Sequence, residues 1–560
     1  MPEHASSDGF FSPSKGVVLD GPSHEDEVDT VIIGNGPSAL ILSYILHGHI
    51  PFYIANPPHP DPLLHAQLKH APSLLQADVV ALTTHFSATR HSYSTQALPV
   101  NVLLDALVRP QGDLDGPQKP SNLEWRWLPD YSVSHVVLGR SVEPGGLWAD
   151  ADPVSIRTNL ATLSYASMLS LPGYSFADHH RRITGDELPP FTRPPRRDLT
   201  AYLSTYPAAV GIDDAIRCNE EVWGIERVSD GFYIRSHRIH CRHLVLASGI
   251  FTHPIPPPPF LAALAALPAL IRSPLPLTSP ASLLVIGSGF TAADVILSAS
   301  LEQHILHIFR WDPDHRPSPL RSCHPHAYPE YAEIYRLMKH AVAAQQPVTS
   351  RPKYRQRTSK SIRDGVYEGL PNVEVTDVQM GDGCTMVTLR RPDGTFMSRS
   401  VSRLSYAVGR RGSLSYLDTA LRSEVLGETR NFTPEPMISG QTLRDKAMAD
   451  LEVTRNVFVI GSLTGDSLIR YAYGGCVYAA SMLITAAATT ERKVNDPTIE
   501  FGSAVEDVDT SNLMRNVNTA SRSIPKDRES LDISTGEVRQ TTEPAVNPWM
   551  GCIWALLLEM

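Results

Sequence analysis

Asp29-Thr-Val-Ile-Ile-Gly34-Asn-Gly36-Pro-Ser38-Ala39-Leu40 decides how the rest of the chain is read. A β-branched run meets a glycine turn, and an apolar helical pattern follows at once. That is the opening of a dinucleotide-binding βαβ unit. Gly34 takes the sharp turn after the strand. Gly36 has no side chain, so a pyrophosphate can approach the backbone. Ala39 lets the helix lie close on the strand. The helix start at Ser38 offers free N–H groups and the positive end of the helix dipole to phosphate. A packing turn of no ligand significance has the same local pattern, so the reading depends on what stands elsewhere.

Ala281-Ser-Leu-Leu-Val-Ile-Gly287-Ser-Gly289-Phe-Thr-Ala292-Ala-Asp294 is a second copy of the opening pattern. Its next strand, His304–Phe309, ends in Arg310. A guanidinium there suits the 2′-phosphate of NADP through paired charge-assisted hydrogen bonds. A third element, Val457-Phe-Val-Ile-Gly461-Ser-Leu-Thr-Gly465-Asp466, is an apolar strand, a glycine and an acid, followed by a helical pattern from Arg470 to Ile484 with Gly474 and Gly475. Ala247-Ser248-Gly249 closes a strand just before the second copy. Two dinucleotide elements and a closing Gly–Asp–helix point to a flavin and a nicotinamide exchanging hydride. Asp466 would then accept hydrogen bonds from ribityl hydroxyls, and the following helix would stabilise negative charge on the reduced flavin.

The expected fold class is α/β, with two dinucleotide-binding, Rossmann-like domains and disordered termini. The NAD(P) domain is inserted in the FAD domain. The boundaries are 1–28 disordered, 29–255 first part of the FAD domain, 256–400 NAD(P) domain, 401–490 return to the FAD domain, and 491–560 a mostly disordered tail. The second strand of the first unit is expected at Pro51–Ala55. An acid normally ends that strand and holds the ribose. Ala55, Asn56 and Pro57 stand there, leaving Asn56 or Asp61 as substitutes. A helix is expected from Arg196 to Tyr206, ended by Pro207. Glu221–Ser229 and Gly231–Arg235 alternate like a hairpin, and the prolines from Pro254 to Pro259 mark a crossover.

Net charge is −10 over 560 residues, which gives no support to a nucleic-acid partner. The six cysteines form no C-x-x-C pair, so neither a disulfide framework nor a zinc site is indicated, and a reduced cytoplasmic setting fits. The histidines from His59 to His65 match no metal-ligand spacing. No signal core or bilayer-spanning window is expected. Oligomeric state is not legible.

The chain resembles the oxidative stress-induced growth inhibitor family. The similar segments are Val31–Ser38, His59-Pro-Asp-Pro-Leu-Leu-His65, His135-Val-Val-Leu-Gly-Arg140 with Pro144-Gly-Gly-Leu-Trp148, Leu306–Arg310, Tyr328-Pro-Glu-Tyr331, and Gly461 through Gly475. The resemblance implies an FAD-dependent, NADPH-using monooxygenase, which inserts one oxygen atom of O2 into a small-molecule substrate by way of a flavin hydroperoxide. It maps Gly34, Gly36 and Asp466 to FAD contacts, and Gly287, Gly289 and Arg310 to NADPH contacts. Gly145, Gly146 and Trp148 match a Gly-Gly-x-Trp segment that borders the flavin. Ser38, Ala39, Gly249, Ala292 and Gly475 complete the expected cofactor-binding set.

Two departures stand out. Leu270–Ser282 has nothing like the F-x-G-x-x-x-H-x-x-x fingerprint of the wider monooxygenase group. That group also places an asparagine after Gly-Gly-x-Trp, where it touches flavin and nicotinamide. Asn159 or Ser164 is the candidate for this catalytic position. Losing that residue's function would leave an NADPH oxidase or flavin reductase. A non-catalytic flavin-binding regulatory protein is the alternative of a different class. A disulfide oxidoreductase lacks its cysteine pair.

Overall fold

The structure, a computed structural model, describes residues 26–495 except 90–91, 93, 95–96, 111–119, 150–158, 266–281, 346–364, 381–384 and 428–436. The expected disordered termini lie outside the described residues, save at their inner ends. Asp26–Val28 belong to a strand, because they pair with Ile239–Cys241. At the other end, the helix Tyr473–Asn495 runs past residue 490. Almost all of the segment expected to lack the fingerprint, Leu270–Ser282, also lies outside the described residues.

The chain opens with β1 (Asp26–Ile33), buried over Thr30–Ile33, and turns at Gly34 into α1 (Pro37–Leu46). From Ala39 to Leu46 every residue of α1 is buried. An all-round apolar helix needs cover on both sides, and α1 lies in one core with Tyr473, Val477 and Leu483 of the closing helix. β2 (His49–Tyr53) and β3 (Leu123–Trp127) form an antiparallel ribbon apart from the main sheet. This corrects the expectation that the strand near Pro51–Ala55 follows β1 in the parallel sheet. Pro51 cannot donate to a ladder and suits an outlying ribbon. The parallel neighbour of β1 is β4 (His135–Leu138), with Thr30 opposite His135 and Ile33 opposite Leu138.

A helix follows at Arg196–Val210, and Pro207 lies inside it rather than ending it. Proline removes one N–H from the last turn, and Gly211, left-handed at φ 74°, makes the stop. β5 (Ile216–Arg217), β6 (Ile225–Val228), β7 (Gly231–Ile234) and β8 (Ile239–Leu246) complete the first pass. The crossing strand is β9 (His253–Pro254), which leads to β10 (Ser282–Ile286), β11 (Ile305–Phe309), β12 (Tyr367–Pro371), β13 (Glu374–Met380), β14 (Thr385–Arg390) and β15 (Phe396–Tyr406). The return brings β16 (Arg410–Ser413), β17 (Met437–Ile438), β18 (Glu452–Thr454) and β19 (Val457–Val459).

One sheet has the order β18-β19-β8-β1-β4-β5, with β6 and β7 attached to β8; the other runs β12-β11-β10-β15-β14-β13. The central, parallel strands of both are covered on two faces, as parallel strands require. Ile32 points into one core, while Val31 and Ile33 point into another. Leu284 is separated in the same way from Leu283 and Val285. The boundary expected at residue 400 falls inside β15, which pairs with β10 through Tyr406. The second unit therefore extends to Ala407, whose N–H donates to the Ile286 carbonyl at 2.7 Å.

β9 and β16 pair antiparallel, Arg410 opposite Pro254 and Arg411 opposite His253, and carry the chain between the units. A polar clasp adds to them. Arg196 meets Asp294 at 2.8 Å, and the Tyr331 hydroxyl donates to the other oxygen of Asp294 at 2.9 Å. Arg193 donates to the Thr162 and Ala327 carbonyls and to Glu330, each at 2.7 Å.

Ile469–Thr489 is apolar and long enough to cross a bilayer by length and composition, which corrects the expectation that no such window exists. More than half of that window is buried inside the protein. Buried helices of large cores share this composition.

Candidate functional site

The first cleft opens where β1 gives way to α1. Gly34 has φ 111°, and a Cβ on it would stand 2.5 Å from the Ala247 carbonyl oxygen, so only glycine makes this turn. Gly36 is different. Its φ is −79°, and a Cβ there would meet nothing within 4 Å. Its missing side chain leaves open space. α1 has no side-chain cap at its N-terminus, so its first amides remain available to an anion. These observations fit a dinucleotide pyrophosphate.

The cavity measures about 350 Å³. It gathers Gly34, Gly36, Ser38, Gly145, Gly146, Trp148, Gly249, Gly461 and Asp466 from four separate chain segments. Contacts between these segments are close. Gly146 has φ 60°, and its Cβ would lie 3.0 Å from the Gly36 Cα. Gly145 N–H donates to the Asn35 carbonyl at 2.8 Å. A Cβ on Gly461 would meet the Ser38 hydroxyl at 2.5 Å.

Four expected residues lie elsewhere. Ala39 is fully buried beneath the turn and packs rather than lines. Gly475 sits in the closing helix, where its N–H donates to Asn101 Oδ1 at 2.8 Å. Asn159 is exposed, and its Oδ1 accepts from Arg197 at 2.8 Å. Ser164 is buried outside the cleft, its carbonyl held by the Thr162 hydroxyl at 2.8 Å. Neither candidate for the catalytic position lines either cleft. This corrects their assignment; of the chain around them, Thr162, Arg193 and Arg196 take part in the polar clasp instead.

Asp466 reaches the cleft but is already engaged. Oδ2 accepts from the Leu98 N–H at 2.8 Å and from Asn101 Nδ2 at 2.6 Å, and Oδ1 from Arg444 at 2.6 Å. Burial raises its pKa, while Arg444, Asn101 and Leu98 pull the other way. The carboxylate fixes the segment that turns Ser467–Ile469 along the cleft wall. Behind it, Arg470 and Arg109 both pair with buried Asp105.

The second cleft, about 1010 Å³, opens at the second glycine turn. Gly287, Gly289 and Arg310 line it, together with Arg316 and Arg411. Gly287 has φ 148°, and its Cβ would stand 2.2 Å from the Ala407 carbonyl oxygen. Ala292 is buried behind the turn. The helix after Gly289 again lacks a side-chain cap. His307 secures the turn from below. Its Nε2 lies 2.7 Å from the Gly287 carbonyl and its Nδ1 2.8 Å from the Tyr367 hydroxyl. Burial drives its pKa down to about 4, so the ring is neutral and Nε2 carries the proton donated to Gly287. β16 serves both clefts: Arg411 lines the second, and Ser413 the first.

With this geometry in place, comparison with known proteins gives a consistent relative. The chain is 28% identical to oxidative stress-induced growth inhibitor 1 of Mus musculus over 498 residues, which covers 83% of this chain and 96% of that protein. The chain resembles the oxidative stress-induced growth inhibitors, as its own motifs predict. No protein-family model matches it. Among solved structures, it is similar to a flavin monooxygenase mutant from Stenotrophomonas maltophilia (14% identity, TM-score 0.43, covering 83% of this chain and 99% of that one). It is also similar to a bacillithiol disulfide reductase from Bacillus cereus (12% identity, TM-score 0.44, 82% and 100%).

Several site residues escaped the sequence. Asn35, between the two glycines, fills the space beside Gly139 and wires the following loop; nothing in its type announced this. Arg140 stands in a quoted segment, five residues before Gly145, and that spacing was the available signal. Arg316 and Arg411 line the second cleft with Arg310 from other segments and carried no signal. Tyr165 lines a different cavity of about 1030 Å³ that shares no residue with either cleft. His59 and His65 are absorbed by protein partners: Asp61 N–H donates to His59 Nδ1 at 3.1 Å, and the Tyr53 hydroxyl lies 2.8 Å from His65. Among the described residues, no group of three or more His, Cys, Asp or Glu side chains is placed to hold a metal.

Proposed function

We propose that the protein is an FAD-dependent, NADPH-using oxidoreductase, and within that class a monooxygenase acting on a small molecule with O2. The observation that best supports this is the pair of uncapped helix starts behind glycine turns, each on its own cleft, joined through β9 and β16. When bound, FAD supplies the redox chemistry, taking hydride from NADPH and passing electrons to dioxygen. The chain's own work is binding, orientation and exclusion of water. Gly34, Gly36 and Ser38 receive the FAD pyrophosphate, with Gly145, Gly146, Trp148, Gly249 and Gly461 around it. Asp466 holds the flavin-side wall in place through Arg444 and Asn101. Gly287 and Gly289 receive the NADPH pyrophosphate. Arg310, with Arg316 and Arg411, gives the 2′-phosphate a positive field. The clasp of Arg193 and Arg196 keeps the two clefts in one relation during hydride transfer.

A second reading, an NADPH oxidase that releases peroxide, is favoured by one observation: neither Asn159 nor Ser164 lines either cleft. The relatives' name raises a third, a flavin-binding regulator of growth without turnover. Purified protein distinguishes them. The oxidoreductase reading requires near-stoichiometric flavin and its bleaching by NADPH without oxygen. Oxygenated product in excess of peroxide then selects the monooxygenase, and the reverse selects the oxidase. Flavin that NADPH leaves oxidised supports the regulator. A cytoplasmic location is part of the proposal, supported by free thiols at Cys218, Cys241, Cys323 and Cys476.

A further inference from the structure

We propose that Glu221, just beyond the carboxyl end of β5, holds the ribose of the FAD adenosine, in place of the acid that ordinarily ends the neighbouring strand. The inference rests on the FAD reading of the first cleft. It starts from β4, the parallel neighbour of β1, because the ribose acid belongs at the end of that strand. The residue there is Gly139, and it can carry no side chain. A Cβ on it would stand 2.1 Å from the Cγ of Asn35 and 2.5 Å from its Oδ1.

Asn35 is fixed in that space. It is 2% exposed, and its Nδ2 donates to the Ser141 and Glu143 carbonyls at 3.2 Å and to Cys218 Sγ at 3.4 Å. Its two amide protons are thus spent on the protein. The usual ribose position is filled by a neutral side chain that serves as a staple for the loop from Gly139 to Gly145.

The direction of the ligand follows from the sheet. The pyrophosphate lies at the glycine turn, in the middle of the order β19-β8-β1-β4-β5. The flavin must face the second unit, which joins through β9 and β16. Their residues His253 and Ser413 line the cleft, as do Gly461 and Ile469 beyond β19. The adenosine half therefore extends the other way, over β4 and β5.

On that side the cleft is lined by Arg140, Ser141, Glu220, Glu221 and Val222. β5 pairs with β4, Leu138 opposite Arg217. Asn219 then takes a positive φ of 58°, and its N–H donates to the Ser141 carbonyl at 2.9 Å, which turns the chain toward the cleft. Glu220 is committed: its carboxylate meets His237 at 3.1 Å and its N–H donates to the Gly139 carbonyl at 2.9 Å. Glu221 is exposed, and its carboxylate makes no hydrogen bond or ion pair with the described residues. A carboxylate there can accept both vicinal ribose hydroxyls in charge-assisted hydrogen bonds.

Only the adenosine half of FAD carries that ribose, so the test compares ligands as well as variants. Flavin-free protein is titrated with FAD, FMN and FAD bearing 2′-deoxyadenosine, for wild type, Glu221→Ala and Glu221→Gln. Circular dichroism checks that each variant is folded. Glu221→Ala is expected to weaken FAD about tenfold to a hundredfold, the loss of one or two charge-assisted hydrogen bonds. It leaves FMN unchanged, and Glu221→Gln falls between. The deoxy ligand costs wild type affinity and costs Glu221→Ala little. Unchanged FAD affinity in folded Glu221→Ala overturns the assignment while the FAD reading stands. Wild type that binds neither FAD nor FMN overturns both.

Discussion

Two glycines two residues apart separate the fold from the ligand site, and Gly34→Ala and Gly36→Val test that division. At Gly34 a side chain is strained at φ 111°, and its Cβ would lie 2.5 Å from the Ala247 oxygen and 2.8 Å from its carbonyl carbon. The conformation costs about 1–3 kcal/mol. Forcing the ends of β1 and β8 apart adds about 1–3 kcal/mol, the usual range for overpacking. Together they are a large share of the ~5–15 kcal/mol that holds a domain folded. At Gly36 both terms vanish: φ is −79°, ψ is 177°, and the Cβ position is open. Extended backbone suits valine. Losing glycine at the N-cap costs up to about 1 kcal/mol, and stiffening the unfolded chain returns about 0.4–1 kcal/mol. Stability should therefore change by less than about 1 kcal/mol. The valine methyls, however, project to where phosphate oxygens would meet the α1 amides. Losing one or two charge-assisted hydrogen bonds, about 1.5–3 kcal/mol each, weakens FAD at least tenfold. Thermal melts of flavin-free protein measure the first effect and flavin fluorescence titration the second. Gly34→Ala should melt several degrees lower. Gly36→Val should melt like wild type and bind FAD poorly. If Gly36→Val keeps full FAD affinity, the pyrophosphate does not lie at this turn. If it unfolds like Gly34→Ala, the distinction between the two glycines is wrong.

Arg310→Ala should raise the KM for NADPH about tenfold, the worth of one charge-assisted contact, and leave that for NADH unchanged; an equal effect on both removes the 2′-phosphate role. Arg444→Ala strands the buried Asp466 carboxylate and should cost about 3–5 kcal/mol in urea unfolding, part of which Asp466→Asn in the same chain restores. Arg196→Ala removes the partner of Asp294 across the units; it should slow anaerobic reduction of flavin by NADPH while FAD affinity is retained, and an unaltered rate would show that the clasp does not matter to hydride transfer. His307 and His135, each driven by burial to about 4, are neutral in the folded protein. A histidine pKa depressed by folding contributes stability that is fully present above its unfolded value of about 6.5. That contribution is lost as pH falls from about 6.5 toward 4, so the melting temperature should drop through this window and be flat just above it.

The glycine turns were legible because each rule is local. A turn at positive φ needs glycine, and the strand and helix patterns on either side need only their own periods. Strand placement was less so. Pro51 and its neighbours look as much like a strand as His135–Leu138 do, and they form one, but in a separate ribbon. Which of two apolar runs pairs with β1 is a long-range choice. The same holds for Pro207, tolerated within a helix whose other residues Leu199, Tyr202, Leu203 and Tyr206 are buried. Asn159 and Ser164 were chosen by distance along the chain from Gly-Gly-x-Trp, and distance along a chain does not fix which cavity a side chain enters.

By itself, the sequence determined the two strand–glycine–helix units, their order, the places where a phosphate can approach backbone amides, and the resemblance those motifs carry. Tertiary structure alone decided what stands around them. It placed Asn35 in the space that Gly139 leaves, brought Glu221 to the β4–β5 side of the first cleft, set Arg316 and Arg411 in the second cleft with Arg310, and tied up Asp466 with Arg444 and Asn101. The physical reason is range. Backbone conformation at a turn is set by steric limits within a few residues, whereas a side chain's partners, burial and charge depend on segments hundreds of residues away that meet only when the sheets close.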